Sequence, residues 1–529
     1  MDFKRIRISI TIPRLTKTRT KTVITALLSL AISAFVLSIF LHFSHLHRPP
    51  TPNTPLSAAC SATLYPSLCL SSLSPFPNSS HHLLPLSLHL SLSRALLLPK
   101  APSPPARDCA DLLDQTVYEL ESALAELPAS RPPYQNIRTL LSAAMTNQHT
   151  CIDGFSDVEN GRFLESLLTP VSQMISNALA LIRHVEAQES VKNVKMVTGE
   201  AATGLARRRR KRRRRLRANV VVDCGGRGRF SLIGEAIAAA PNMSVKTYVI
   251  KIKKGVYREN VVIPREKINI MLVGEGMNST IITASRSLAD GFSTFESATL
   301  TVVGDKFIAR DITIQNTAAA EKHQAVALRV TSNAAFYRCN IASHQDTLYA
   351  HSLRQLYHEC TIQGTIDFIF GNAAAVFSKC RILVRRPLPG QRNTITAQGR
   401  EDPNQNTGIS LHKCTIEAAA EFNSTERKRF ATYLGRPWRK YSRVFVANSY
   451  LGDLIHPRGW LEWPLYSDAD TVEYVECRNY GPGASMRRRI SWGGYRNNCT
   501  AEMAKRFAVL EFLHGEDDWL ESTVIPIFD

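Results

Sequence analysis

At 529 residues the chain is too long for one ordinary domain, and 44% hydrophobic with 8% aromatic residues leaves material for two or three packed cores. A net charge of +20 suggests a nucleic-acid binder, yet half of that excess sits in Arg207–Arg217, which holds ten basic groups and no acid. From Ala218 onward, 38 basic against 31 acidic residues leave +7, a mildly basic surface suited to a polyanion and not to a dedicated nucleic-acid protein.

Residues 1–48 set the compartment. Lys4, Arg5, Arg7, Arg14, Lys17, Arg19 and Lys21 precede an uncharged apolar run, Thr22–Leu41. Twenty such residues span a bilayer with the basic flank left in the cytoplasm, as an uncleaved signal anchor or a long signal peptide. The rest is then secreted or lumenal, and five N-x-Ser/Thr sequons (Asn78, Asn242, Asn278, Asn423, Asn498) fit that. Eleven cysteines are expected to pair where conditions are oxidising, with at least one left over.

Residues 49–200 begin with a Pro- and Ser-rich stalk and become helical from Ala106 to Val197, where apolar residues recur at three-to-four spacing. Cys60, Cys69, Cys109 and Cys151 make this a stapled helical bundle. Residues 201–217 carry the basic run, too pure in charge to fold. As a nuclear or nucleic-acid patch it conflicts with the membrane signal. An inert linker is the bland reading. A processing-protease site at 207–217 is favoured, because the sequence pattern changes sharply there.

Residues 218–529 lose the helical signal. Short β-branched and aromatic runs recur, and four of them align as Cys339-Asn340-Ile341, Cys360-Thr361-Ile362, Cys380-Arg381-Ile382 and Cys414-Thr415-Ile416, with steps of 21, 20 and 34 residues. Asp311-Ile312 falls in the same frame 28 residues before Cys339. A period near twenty with short strands is a solenoid signature, and a parallel β-helix is the expected fold. Stacked strands about 4.8 Å apart lie within disulfide reach, so Cys360–Cys380 is the expected bond here, with Cys339 and Cys414 as easily free core thiols.

The same step organises the polar residues. Asp367 is the one charge in "GTIDFIFGNAAAVF"; 21 residues earlier stands Asp346, and Gln345 steps back 21 to Gln324. Two carboxylates and two amides then share one sheet face, with Gly371 and Ala373–Ala375 leaving room for a ligand. Neighbouring carboxylates do not both ionise readily, and Arg436 supplies the cation that separates their roles. A carboxylate nucleophile, a protonated donor and two amide donors for an oxyanion suit ester hydrolysis through an acyl-enzyme. No metal-ligand spacing stands out, and neither a metal nor a cofactor is expected.

"HQAVALRV", "HQDTLYAHSLRQ", "GTIDFIFGNAAAVF", "TAQGREDPNQNTGI" and "YLGRPWRKYSR" resemble the successive motifs of plant pectin methylesterases, over roughly Val220–Ile525. "CSATLYPSLC" and "LSAAMTNQHTCIDGF" resemble the inhibitor domain that precedes the enzyme in longer plant forms. The resemblance implies a right-handed parallel β-helix behind a four-helix-bundle pro-region, and a cell-wall enzyme that hydrolyses the methyl esters of homogalacturonan. It implies Asp367 as nucleophile, Asp346 as proton donor, Gln324 and Gln345 as oxyanion hole and Arg436 as partner of Asp367. Thr294, Phe295, Trp438 and Trp463 would bind the sugar with Gln324 and Arg436, and Cys60–Cys69 and Cys109–Cys151 would be bonded. Two departures stand out: "CGGRG" adds Cys224, and His344 replaces a tyrosine beside the catalytic pair, where its charge would lower the Asp346 pKa. The rival readings are glycosidic cleavage by the same carboxylates and a non-catalytic inhibitor or wall-binding protein.

Overall fold

The computed structural model describes residues 55–74, 104–129, 132–155, 161–197, 217–463 and 469–514, with Leu520 and Ile525. The apolar run Thr22–Leu41, and the basic run apart from Arg217, lie outside the described residues.

Among the described residues of the N-terminal part the helices are α1 (Pro55–Ser61), α2 (Pro66–Leu73), α3 (Pro104–Glu126), α4 (Tyr134–Asp153) and α5 (Gly161–Val197). Proline opens α1, α2 and α3, where its missing N–H costs no helical hydrogen bond. Leu73, Leu120, Leu141, Ile175, Leu179 and Ile182 close one core between them. Disulfides Cys60–Cys69 and Cys109–Cys151 join α1 to α2 and α3 to α4.

From Val220 the described chain winds through three parallel sheets of eleven, seven and eight strands, the central coils adding one strand to each. Ile282, Ile314, Ile341, Ile362, Ile382 and Ile416 stack in register, all fully buried, so each coil repeats the same apolar contact. Phe336, Tyr357 and Phe377 stack beside them with ring planes 6° and 5° apart. The first residue of each corner adopts left-handed backbone: Asp311, Arg338, Glu359, Lys379 and Lys413 all have φ between 48° and 58°. This corrects the expected frame by one residue, since Asn340 pairs with Thr313 and so Ile312, not Asp311, lies under Cys339.

The expected Cys360–Cys380 bond is absent; both are buried free thiols, as are Cys339 and Cys414. Coil stacking sets these side chains side by side, and each sulfur faces backbone: Cys360 Sγ donates to Phe336 O at 3.4 Å and Cys380 Sγ to Tyr357 O at 3.3 Å. The bond in this half is Cys477–Cys499, which ties the last described strands to the C-terminal segment. That segment lays Phe507, Val509 and Phe512 over the outside of the eleven-stranded sheet, against Leu356 among others, while Arg354 of the same strand is covered by the helical part through Asn136.

The small residues after Asp367 serve packing and not ligand approach. A Cβ on Gly371 would stand 2.0 Å from the Ala350 carbonyl oxygen, and Ala373, Ala374 and Ala375 are at most 1% exposed.

Candidate active site

Asp346 and Asp367 leave the same corner of adjacent coils. Asp346 N donates to Ile366 O at 3.0 Å, and the coil before is joined by the parallel bridge between Gln324 and Gln345. The 21-residue step thus brings all four together, although Leu328 pairs with Leu348 only 20 residues on. Asp367 is paired with Arg436, whose Nε lies 2.9 Å from Oδ1 and whose Nη2 lies 2.5 Å from Oδ2. Thr394 completes the grip: its hydroxyl donates to Asp367 Oδ1 at 2.6 Å and accepts from Asp367 N at 2.9 Å.

Asp346 differs. Burial first, then the charge of Asp367, push its carboxyl well above the ordinary carboxylate range, against a smaller pull from Arg436. One carboxyl is therefore ion-paired and its neighbour favours the proton. Among the described residues neither Gln324 nor Gln345 has a hydrogen-bond partner for its side-chain amide, and both line the cavity of about 400 Å³ that holds the aspartates. Thr294, Phe295, Trp438, Trp463 and Arg436 line it too.

Tyr349 and Phe370 also belong to the site. Their rings stack at 4.2 Å on the cavity floor, and Phe370 lies 6.1 Å from Trp438. They are themselves 21 residues apart, so the coil step that linked the aspartates also marks them. Thr394 carried no such signal, because a 27-residue coil separates it from Asp367. His344 does not act on Asp346 as expected. Its Nδ1 lies 3.3 Å from Ala318 O, and burial and Arg385 lower its own pKa.

The helical part closes this cavity. Leu112 of α3 and the Cys109–Cys151 disulfide pack against Phe295, Tyr349, Phe370 and Ala397. Thr150 Oγ1 lies 2.9 Å from His351 Nε2, Ser293 Oγ donates to Asp108 at 2.5 Å, and Arg439 pairs with Asp153. The loop 400–407 is the other anchor. Asp402 accepts from Ser176 at 2.5 Å, Asn404 from Arg183 at 2.9 Å, and Asn406 donates to Thr139 at 2.9 Å.

Residues 219–516 match the family model for pectinesterase, and residues 54–181 that for plant invertase/pectin methylesterase inhibitor. Pectinesterase 1 of Citrus sinensis is 41% identical over 513 residues, 89% of this chain and 88% of that one. Pectinesterase/pectinesterase inhibitor U1 of Solanum lycopersicum is 41% identical over 516 residues, again 89% and 88%. Among solved structures, pectin methylesterase from carrot is 49% identical with a TM-score of 0.58, covering 60% of this chain and 99% of its own. The chain belongs to the pectinesterase family, carboxylic ester hydrolases that demethylate pectin, and carries an inhibitor-type domain at its N-terminus.

Proposed function

We propose that Asp367 and Asp346 demethylate homogalacturonan through an acyl-enzyme. The observation that carries this reading is their unequal setting: one carboxylate gripped by Arg436 and Thr394, its neighbour pushed toward the protonated form. Asp367 attacks the ester carbon, and the amides of Gln324 and Gln345 hold the oxyanion that forms. Asp346 gives its proton to the departing methoxy oxygen, methanol leaves, and an anhydride joins Asp367 to the sugar's carbonyl carbon. Ionised Asp346 then takes a proton from water, whose oxygen attacks the anhydride. Asp367 is released and galacturonate forms. Thr294, Phe295, Trp438 and Trp463 hold the sugar chain over this pair.

The parts take roles accordingly. Residues 1–48 route the chain into the secretory pathway, by anchor or signal peptide, toward the plant cell wall. Residues 49–200 form a four-helix-bundle inhibitor domain that keeps the cleft shut until a protease cuts within 207–217. Residues 218–529 are a right-handed parallel β-helix carrying the site, the hand that parallel crossovers favour.

Hydroxylamine tests the acyl-enzyme. It should divert the intermediate to a galacturonyl hydroxamate while methanol leaves at an unaltered rate. Normal methanol release with no hydroxamate would point to direct attack by water.

A further inference from the structure

The outward row of the seven-stranded sheet runs Thr301, Arg329, Tyr349, Phe370, Ala397, Arg436, one residue per strand. Arg329 therefore lies on the cleft floor four strands, roughly 19 Å, from Arg436. It is 9% exposed, and its guanidinium carbon sits 3.3 Å from the centre of the Phe295 ring. Its Nε and Nη1 are buried without a hydrogen-bond partner. A buried guanidinium left with unmatched N–H groups is unfavourable, and a planar anion in the cleft would repair it.

What covers Arg329 here is acidic. Asp108 and Asp111 of α3 face it, with Asp108 bonded to Ser293 and Asp111 one helical turn on. Asp111 and Asp114 border a cleft region shared with Arg329 and Arg265. Residues three apart on a helix rise about 4.5 Å, so α3 presents a run of carboxylates to a basic stretch of the cleft floor.

We propose that Arg329 is a specificity residue that receives the free carboxylate of a galacturonate already demethylated, and that α3 holds its acidic face over this position in the intact chain. The proposal rests on the esterase reading of the cleft. The enzyme would thus grip its own product chain while reacting at an ester farther along.

The test uses residues 218–529, since the carrot structure shows that this portion is a complete folded chain in a relative. The parent, Arg329→Met and Arg329→Lys are compared for methanol release from almost fully methylated pectin and from pectin demethylated at random, with fully demethylated oligogalacturonate as inhibitor. Loss of one charge-assisted contact should weaken inhibition by the oligogalacturonate in Arg329→Met about tenfold. KM for part-demethylated pectin should rise more than KM for methylated pectin, with the loss in KM and not in kcat. Arg329→Lys should recover much of it, and keeps the test open if the methionine variant folds poorly. Unchanged inhibition with an active parent overturns the subsite alone, as does a kcat loss equal on both substrates. A folded parent that releases no methanol overturns the esterase reading and the subsite together.

Discussion

Asp346 and Asp367 have φ values of 61° and 48°, a left-handed backbone that aspartate tolerates better than most residues. The turn aims both carboxyls at the cleft while Thr347 and Phe368, their chain neighbours, are buried in the coil. Their division of labour has a pH signature. A donor whose pKa is raised stays protonated above the usual carboxylate value of about 4 and is lost as pH rises through its own pKa. The pH–kcat profile of residues 218–529 should therefore show a falling limb set by Asp346, and a rate that climbs with pH without one would contradict the assignment. The oxyanion role is sharper still. Gln345→Ala should lower kcat roughly 10²–10³-fold while the fold, followed by thermal melting, is kept; a loss confined to KM would make Gln345 a binding residue only.

At the level of elements, α3 and α4 decide whether the cleft is open. Burial raises Asp108 to about 6, aided by Glu296 and Asp111 and opposed by Ser293 and Arg329. With its docked pKa above the free value of about 4, Asp108 favours docking fully below pH 4, and that contribution is lost as pH rises through about 6. His149 and His351, held down to about 3 by burial, act the other way. The comparison with Asp108→Asn isolates the carboxyl. Between pH 4 and 6 the residual activity of the intact chain should rise more steeply in the parent than in the variant, and equal slopes would remove Asp108 from the docking balance. This closure was not legible in the sequence, because Leu112 and Thr150 look like any residues of an amphipathic helix, and their contacts depend on the shape of the sheet they meet. The solenoid was legible, because its isoleucine and cysteine rows repeat at the coil length. Cysteine pairing failed on the same rows, since spacing gives strand separation but not the direction of a side chain. The step that joined Asp346 to Asp367 could not reach Thr394 or Arg436, where loops lengthen the coils.

Over the whole molecule, one chain holds an esterase cleft and the helical domain that fills it. The basic, aromatic floor from Arg265 to Arg436 is matched by acidic and apolar residues of the helices, from Asp108 and Leu112 to Asp153. On the proposed reading full activity requires the two parts to separate, and the basic run Arg207–Arg217 stands between them in the sequence. All of this depends on Asp367 as the attacking group, so the deciding measurement is methanol release from highly methylated pectin by residues 218–529 beside the Asp367→Asn variant. The account predicts release by the parent and a loss on the order of a thousandfold or more in a variant that melts like the parent. A folded variant that still releases methanol at a comparable rate would contradict it.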